Sequence, residues 1–234
     1  MPTSLGLPTE TRAVPRPPLW HTFGLVALLL AVATVGTLSS LGRAVPALPA
    51  SRILEGYLPL LVVNGSLALY VARLGRGRNA LGELVGRRWD TAGRALLDAA
   101  FALLIAALIV LTEHAWAARF GAPDRAWSNA LLPTTLLERT VWVVVAVTVG
   151  TSEELVYRGY LQRELGALAR SQALGLVAQA ALFAIAHGQQ GAGAVARSFV
   201  YGIGFGVLAT ARKSLVPGML AHVGLDVAAG LVHG

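Results

Sequence analysis

The feature that most constrains this chain is the recurrence of apolar runs near twenty residues long. At ~1.5 Å per residue, an α-helix of that length crosses the ~30 Å hydrocarbon core of a bilayer. Leu19 to Leu41 is the first such run, and Ile53 to Ala72, which carries Pro59 and Asn64, is the second. Ala95 to Leu111, Leu137 to Leu161, Leu174 to His187, Val195 to Ala211 and Leu215 to Val232 follow, so the pattern predicts about seven spanning helices. Backbone inside lipid has no water to bond to, and the expected fold class is therefore all-α, a polytopic transmembrane helical bundle. Composition agrees: 55% hydrophobic residues, 13% charged residues and a mean hydropathy of +0.63 lie outside the range of a water-soluble domain of 234 residues. The first run is too long for a signal-peptide core and has no small-residue cleavage site after it.

Residues 1 to 18 hold five of the eleven prolines and predict a disordered tail. Residues 19 to 134 read as variable N-terminal helices with a basic loop, and 135 to 234 as the part that bears the polar motifs. In the basic connection of Arg73, Arg76, Arg78, Arg87, Arg88 and Arg94, the apolar Leu81, Leu84 and Val85 predict an amphipathic helix on the headgroups. The net charge of +7 is almost all arginine, with Lys213 the sole lysine. Placing the N-terminus in the cytoplasm puts most of the basic residues on cytoplasmic segments, as the positive-inside tendency requires, and no nucleic-acid partner is needed to explain them. Trp20, Trp89, Trp116 and Trp127 fall at the predicted water–bilayer boundaries. The Ala, Gly, Leu, Val and Arg usage resembles a GC-rich bacterial genome, so the expected location is a bacterial cytoplasmic membrane. With no cysteine, disulfides, thiolate nucleophiles and Cys-ligated metals are excluded.

Polar residues inside these runs carry the functional signal, because ionisable groups are costly at that depth. Glu154 precedes Arg158, Phe183 precedes His187 and His222 precedes Asp226, each by four residues, so each pair shares one helix face. Arg158 can neutralise Glu154, which leaves Glu153, about 100° away around the axis, available as a base. The alternative is an interfacial charged cluster where the helix leaves the membrane. His187 alone reads equally as a helix-end residue. Asp226 can fix the tautomer of His222 or share a metal with it. Counted along the helices from their cytoplasmic ends, Glu153 lies about 15 Å deep, His222 about 10 Å and His187 about 22 Å, so the three overlap only loosely.

The ordered set Glu153-Glu154-x-x-x-Arg158-Gly159, Phe183-x-x-x-His187 and His222-x-x-x-Asp226 resembles the CAAX protease and bacteriocin-processing family of intramembrane endopeptidases. The resemblance implies a motif-bearing core over roughly residues 135 to 232. It implies Glu153 as general base with His187 orienting the water, His222 facing the tetrahedral intermediate, and Arg158 with Glu154 as a brace. Asp226 stands where the prenyl-protein proteases have Asn, and an ionised Asp cannot donate to an oxyanion. Glu153, His187, His222 and Asp226 also offer two nitrogens and two oxygens, a set that suits a tetrahedral zinc. The family has been described both as zinc metalloproteases and as glutamate-dependent enzymes without metal, and the His-Glu-x-x-His spacing that would decide is absent.

The function expected from this reading is hydrolysis of a peptide bond in a membrane-associated or lipid-modified protein or peptide. Its partners would be the bilayer and that substrate. A catalytically silent membrane protein that regulates a partner such as a sensor kinase is the alternative. A proton-coupled transporter is a third reading, against which stands the lack of paired inverted repeats.

Overall fold

The computed structural model describes residues 17–40, 51–74, 80–121 and 126–233. Residues 1–16 of the expected tail over 1–18, Arg76, Arg78 and the Trp127 side chain lie outside the described residues. Among the described residues the chain forms nine helices: α1 (Leu19–Ser40), α2 (Arg52–Leu74), α3 (Ala80–Val85), α4 (Ala92–Phe120), α5 (Ala126–Leu131), α6 (Leu136–Leu168), α7 (Gln172–Ile185), α8 (Ala192–Arg212) and α9 (Val216–His233). The all-α bundle expected from the apolar runs is what the chain builds. Five helices, α1, α2, α4, α6 and α8, are long and apolar enough to cross a membrane. The other two expected spans, α7 and α9, are shorter apolar helices packed among them.

Local chemistry fixes where helices begin. Thr91 caps α4 by accepting from the Arg94 amide, and Ser171 caps α7 by accepting from Leu174. Thr135 and Glu138 form a reciprocal capping box at the start of α6, a Thr-x-x-Glu signature present in the sequence. Helix α1 runs antiparallel to both α2 and α6. At one end of the bundle His21 of α1 meets the Tyr70 hydroxyl of α2 at 2.7 Å, and Thr22 meets Tyr160 of α6 at 3.0 Å. At the other end Tyr57 donates to the Leu131 carbonyl at 2.8 Å, and Arg52 lies 3.7 Å from Glu138.

Helix α4 extends well past the expected Leu111, to Phe120, because its charges are answered from α8. Arg212 pairs with Asp98 at 2.7 Å near one end, and Arg197 pairs with Glu113 at 2.9 Å near the other. The outer surface is apolar and open: Leu96, Leu103, Val35 and Leu111 are each more than 60% exposed, as helices facing acyl chains require. The amphipathic α3 does not simply lie on headgroups. Its Leu84 is buried against α6, while Arg163 of α6 donates to the carbonyls of Glu83 and Leu84.

Candidate active site

Within α6 the hydrogen-bond register widens to a π-helix over Glu154–Leu161, and all eight of its residues are buried. Insertions of this kind cluster at functional sites because they re-aim side chains within a continuous helix. The widened segment is enclosed by Thr22 of α1, Val71 of α2, Leu84 of α3, Phe183 of α7 and Leu215, which precedes α9. It carries both members of the acid–arginine motif.

Arg158 and Glu154 are fully buried, with Nη1 3.1 Å from Oε1. That contact is electrostatic and off the N–H direction, because Nη1 has no aligned hydrogen-bond acceptor. The guanidinium carbon lies 4.4 Å from the Phe183 ring centre, 5.2 Å from Phe205 and 5.9 Å from Tyr157. Three ring faces thus share a charge that a single carboxylate would otherwise have to balance alone.

The same oxygen, Glu154 Oε1, accepts from His222 Nδ1 at 3.1 Å, across 68 residues of chain. That leaves His222 Nε2 facing two further carboxylates, Glu153 Oε2 at 3.5 Å and Asp226 Oδ2 at 3.9 Å. The imidazole is held flat against Phe205, whose ring centre is 5.3 Å away at 19°, and edge-on to Phe183 at 6.2 Å. A fixed, carboxylate-backed imidazole is the arrangement by which orientation and tautomer are set in hydrolytic sites. Nothing in the local spacing of the acidic motif signals that its second Glu reaches His222; α9 lies beside α6 only in the fold.

The two adjacent glutamates therefore differ. Glu154 is sealed, whereas the Glu153 side chain is 20% exposed and that of Asp226 is 34% exposed. His187 donates from Nδ1 to the Phe183 carbonyl at 2.8 Å, and since a carbonyl only accepts, Nε2 is left with the lone pair. Its ring stands 4.7 Å from that of Phe183. Glu153, Glu154, Arg158, His222 and Asp226 are joined directly, while His187 reaches them only through the Phe183 ring and touches no carboxylate.

Three residues enter the site that sequence reasoning passed over. Phe205 sits in the stretch Tyr201-Gly202-Ile203-Gly204-Phe205-Gly206, where the glycines suggest helix packing and the aromatic carries the contact to His222. Gly218 faces the other oxygen of Glu154: a Cβ there would lie 2.9 Å from Oε2. Trp142 donates from Nε1 to the Asp226 carbonyl at 2.8 Å and ties α6 to α9. Among the described residues no group of three or more His, Asp or Glu side chains has an arrangement that could hold a metal ion. His222 instead directs Nδ1 to Glu154, and His187 stands apart from the carboxylates.

Residues 135–228 match the family described as Type II CAAX prenyl endopeptidase Rce1-like, and all six motif residues fall inside that range. Over that segment, 94 of the 234 residues, the chain is similar to the Rce1-like family. No curated protein and no solved structure matches the chain. The Rce1-like segment begins at the capping box of α6 and runs almost to the end of α9, so the helices that build the site are those the family shares. That similarity, with the long apolar helices, supports a membrane-embedded peptidase.

Proposed function

We propose that this chain is an intramembrane endopeptidase that cleaves a membrane-associated or lipid-modified substrate through a water activated by Glu153 and His187. The observation that carries this reading is the contrast between the neighbouring carboxylates. Glu154 is enclosed and held by Arg158 and His222, whereas the Glu153 side chain is partly exposed and has no hydrogen-bond partner among the described residues, with His222 Nε2 3.5 Å away. A partly exposed carboxylate beside a fixed imidazole suits a general base.

In this mechanism the water oxygen bonds to the scissile carbonyl carbon as its proton passes to Glu153. The C–N bond then breaks as Glu153 returns that proton to the departing amine. His187, with its Nε2 lone pair directed by the Phe183 bond, orients the water. His222, held through Nδ1 by Glu154, faces the tetrahedral intermediate, and Asp226 acts as a positioning residue beside its Nε2. Lipid-facing walls limit entry to substrates already at the membrane. Zinc was the other expectation for this set of side chains, and the mechanism here is the glutamate type, with no step routed through a metal.

The test is cleavage of quenched membrane peptides by purified protein. Glu153→Gln should lower the rate by about 10²–10⁴-fold. Activity of the parent should survive a zinc chelator. Full cleavage by the Gln variant would remove Glu153 as the base; no cleavage by the parent, with partner regulation unchanged in the Gln variant, would replace the peptidase by the silent regulatory protein; and chelator-sensitive activity restored by zinc would replace the glutamate mechanism by a metal one.

A further inference from the structure

A cavity of about 530 Å³ opens where α6 ends and α7 begins, on the side of α6 beyond the carboxylates. Its lining includes Arg158, Arg163, Arg170 and Lys213 and contains no carboxylate. Arg163, Arg170 and Lys213 form no ion pair among the described residues; Arg163 meets only the Glu83 and Leu84 carbonyls, which leave its charge uncancelled. Ser171 and Gln172 also line it, so the positive end of the fourteen-residue α7 faces the same space.

Two further observations point to a ligand. Arg158 is fully buried at the cavity wall, and its Nε and Nη2 have no hydrogen-bond partner. Arg170 and Lys213 are the two non-glycine residues at positive φ among the described residues, at 52° and 53°. Both follow a helix C-terminus, where glycine is the unstrained choice. The chain places a long cation in a left-handed conformation twice, and both line this one cavity.

We propose that the cavity is a phosphate-binding site, filled by the headgroup phosphate of an anionic phospholipid or by phosphate free in solution. Several unpaired cations and a helix N-terminus exceed what one carboxylate balances, and the only apolar side chains in the lining are alanines, which gives a peptide side chain no anchor. The cavity opens at the helix ends that the charge distribution assigns to the cytoplasm, where basic pockets between spanning helices meet lipid headgroups. The site shares Arg158 with the peptidase reading, but its ligand is detected by binding, so either can fail without the other.

The experiment is thermal unfolding of the full chain in detergent with phosphatidylglycerol, with phosphatidylcholine, or with inorganic phosphate against chloride at equal ionic strength. Phosphatidylglycerol should raise the midpoint saturably, by roughly 5–10 °C at a hundredfold excess over Kd, and phosphatidylcholine should not. A rise with inorganic phosphate as well assigns the site to phosphate itself; a rise with the lipid alone assigns it to the headgroup. In Arg170→Gly with Lys213→Gly the shift should fall by at least half, while the ligand-free midpoint stays equal or rises because glycine relaxes the positive φ. Arg170→Asn with Lys213→Asn, which tolerates the same conformation, should behave alike. An undiminished shift in both double variants overturns the proposal. So does the lack of any saturable shift in the parent.

Discussion

Glu153 and Glu154 are adjacent in the chain and yet enclosed to different degrees, and the difference comes from what surrounds each carboxylate. Glu154 depends on Arg158, and Arg158 depends on Glu154 and three aromatic rings. Replacing Arg158 by Met keeps much of the volume and leaves a buried carboxylate uncompensated, which should cost about 3–5 kcal/mol. Thermal or denaturant unfolding measures that loss, and a variant as stable as the parent would mean that the rings and His222 suffice for Glu154. Gly218 tests the same carboxylate from the other side. In Gly218→Ala the new methyl crowds Oε2 at 2.9 Å, so Glu154 must shift and His222 with it. We expect kcat to fall by up to about 100-fold with folding retained; an unchanged kcat would separate the position of Glu154 from catalysis.

Between elements, the α4 and α8 contact shows a structural use for intramembrane charge. Asp98 with Arg212 and Glu113 with Arg197 are spaced fifteen residues apart on both helices, so they pin an antiparallel pair at two levels about 22 Å apart. Asp98 also accepts from Trp89 Nε1 at 3.1 Å, and Glu113 accepts from the Tyr201 hydroxyl. Asp98→Ala therefore strands Arg212 and Trp89 together and should lose roughly 1–3 kcal/mol. Adding Arg212→Ala should cost less than the sum of the two single changes, and a double-mutant cycle on unfolding reads the coupling. Strict additivity would show that the pair contributes nothing. Glycine serves the α6–α7 turn in a different way. A Cβ on Gly175 would lie 2.4 Å from the Gln162 carbonyl oxygen and 2.6 Å from the Gly166 Cα, so these helices approach backbone to backbone.

At the scale of the molecule, the helices alternate in direction, so the α6–α7 turn and the short 3-10 turn at Gly188–Gln190 lie at opposite ends of the bundle. The absence of cysteine makes this directly testable. Single substitutions Ala169→Cys and Gln190→Cys, both at exposed positions, should be labelled by a membrane-impermeant maleimide from opposite sides. With the N-terminus in the cytoplasm, Gln190→Cys reacts in intact cells and Ala169→Cys only after lysis. Reaction of both from one side would overturn the alternating arrangement, and the reversed pattern would overturn only the orientation.

Hydropathy settles the fold class from sequence alone, because twenty apolar residues in lipid have one means of satisfying their backbone, and the i, i+4 pairs are legible because helix geometry is periodic. Glu154 with Arg158 and His222 near Asp226 follow from that local rule. The extension of α4 to Phe120 was hidden because Glu113 reads as a terminus until Arg197 stands opposite it. The register of α6 was hidden for a related reason: a π-turn depends on what packs around it, and no local spacing records that. What only the tertiary structure decided was partnership across helices, with Glu154 reaching His222, Phe205 stacking on it and His187 standing one ring away. Those contacts join residues far apart in the chain, and their distances are set by how helices dock, which no residue's near neighbours encode.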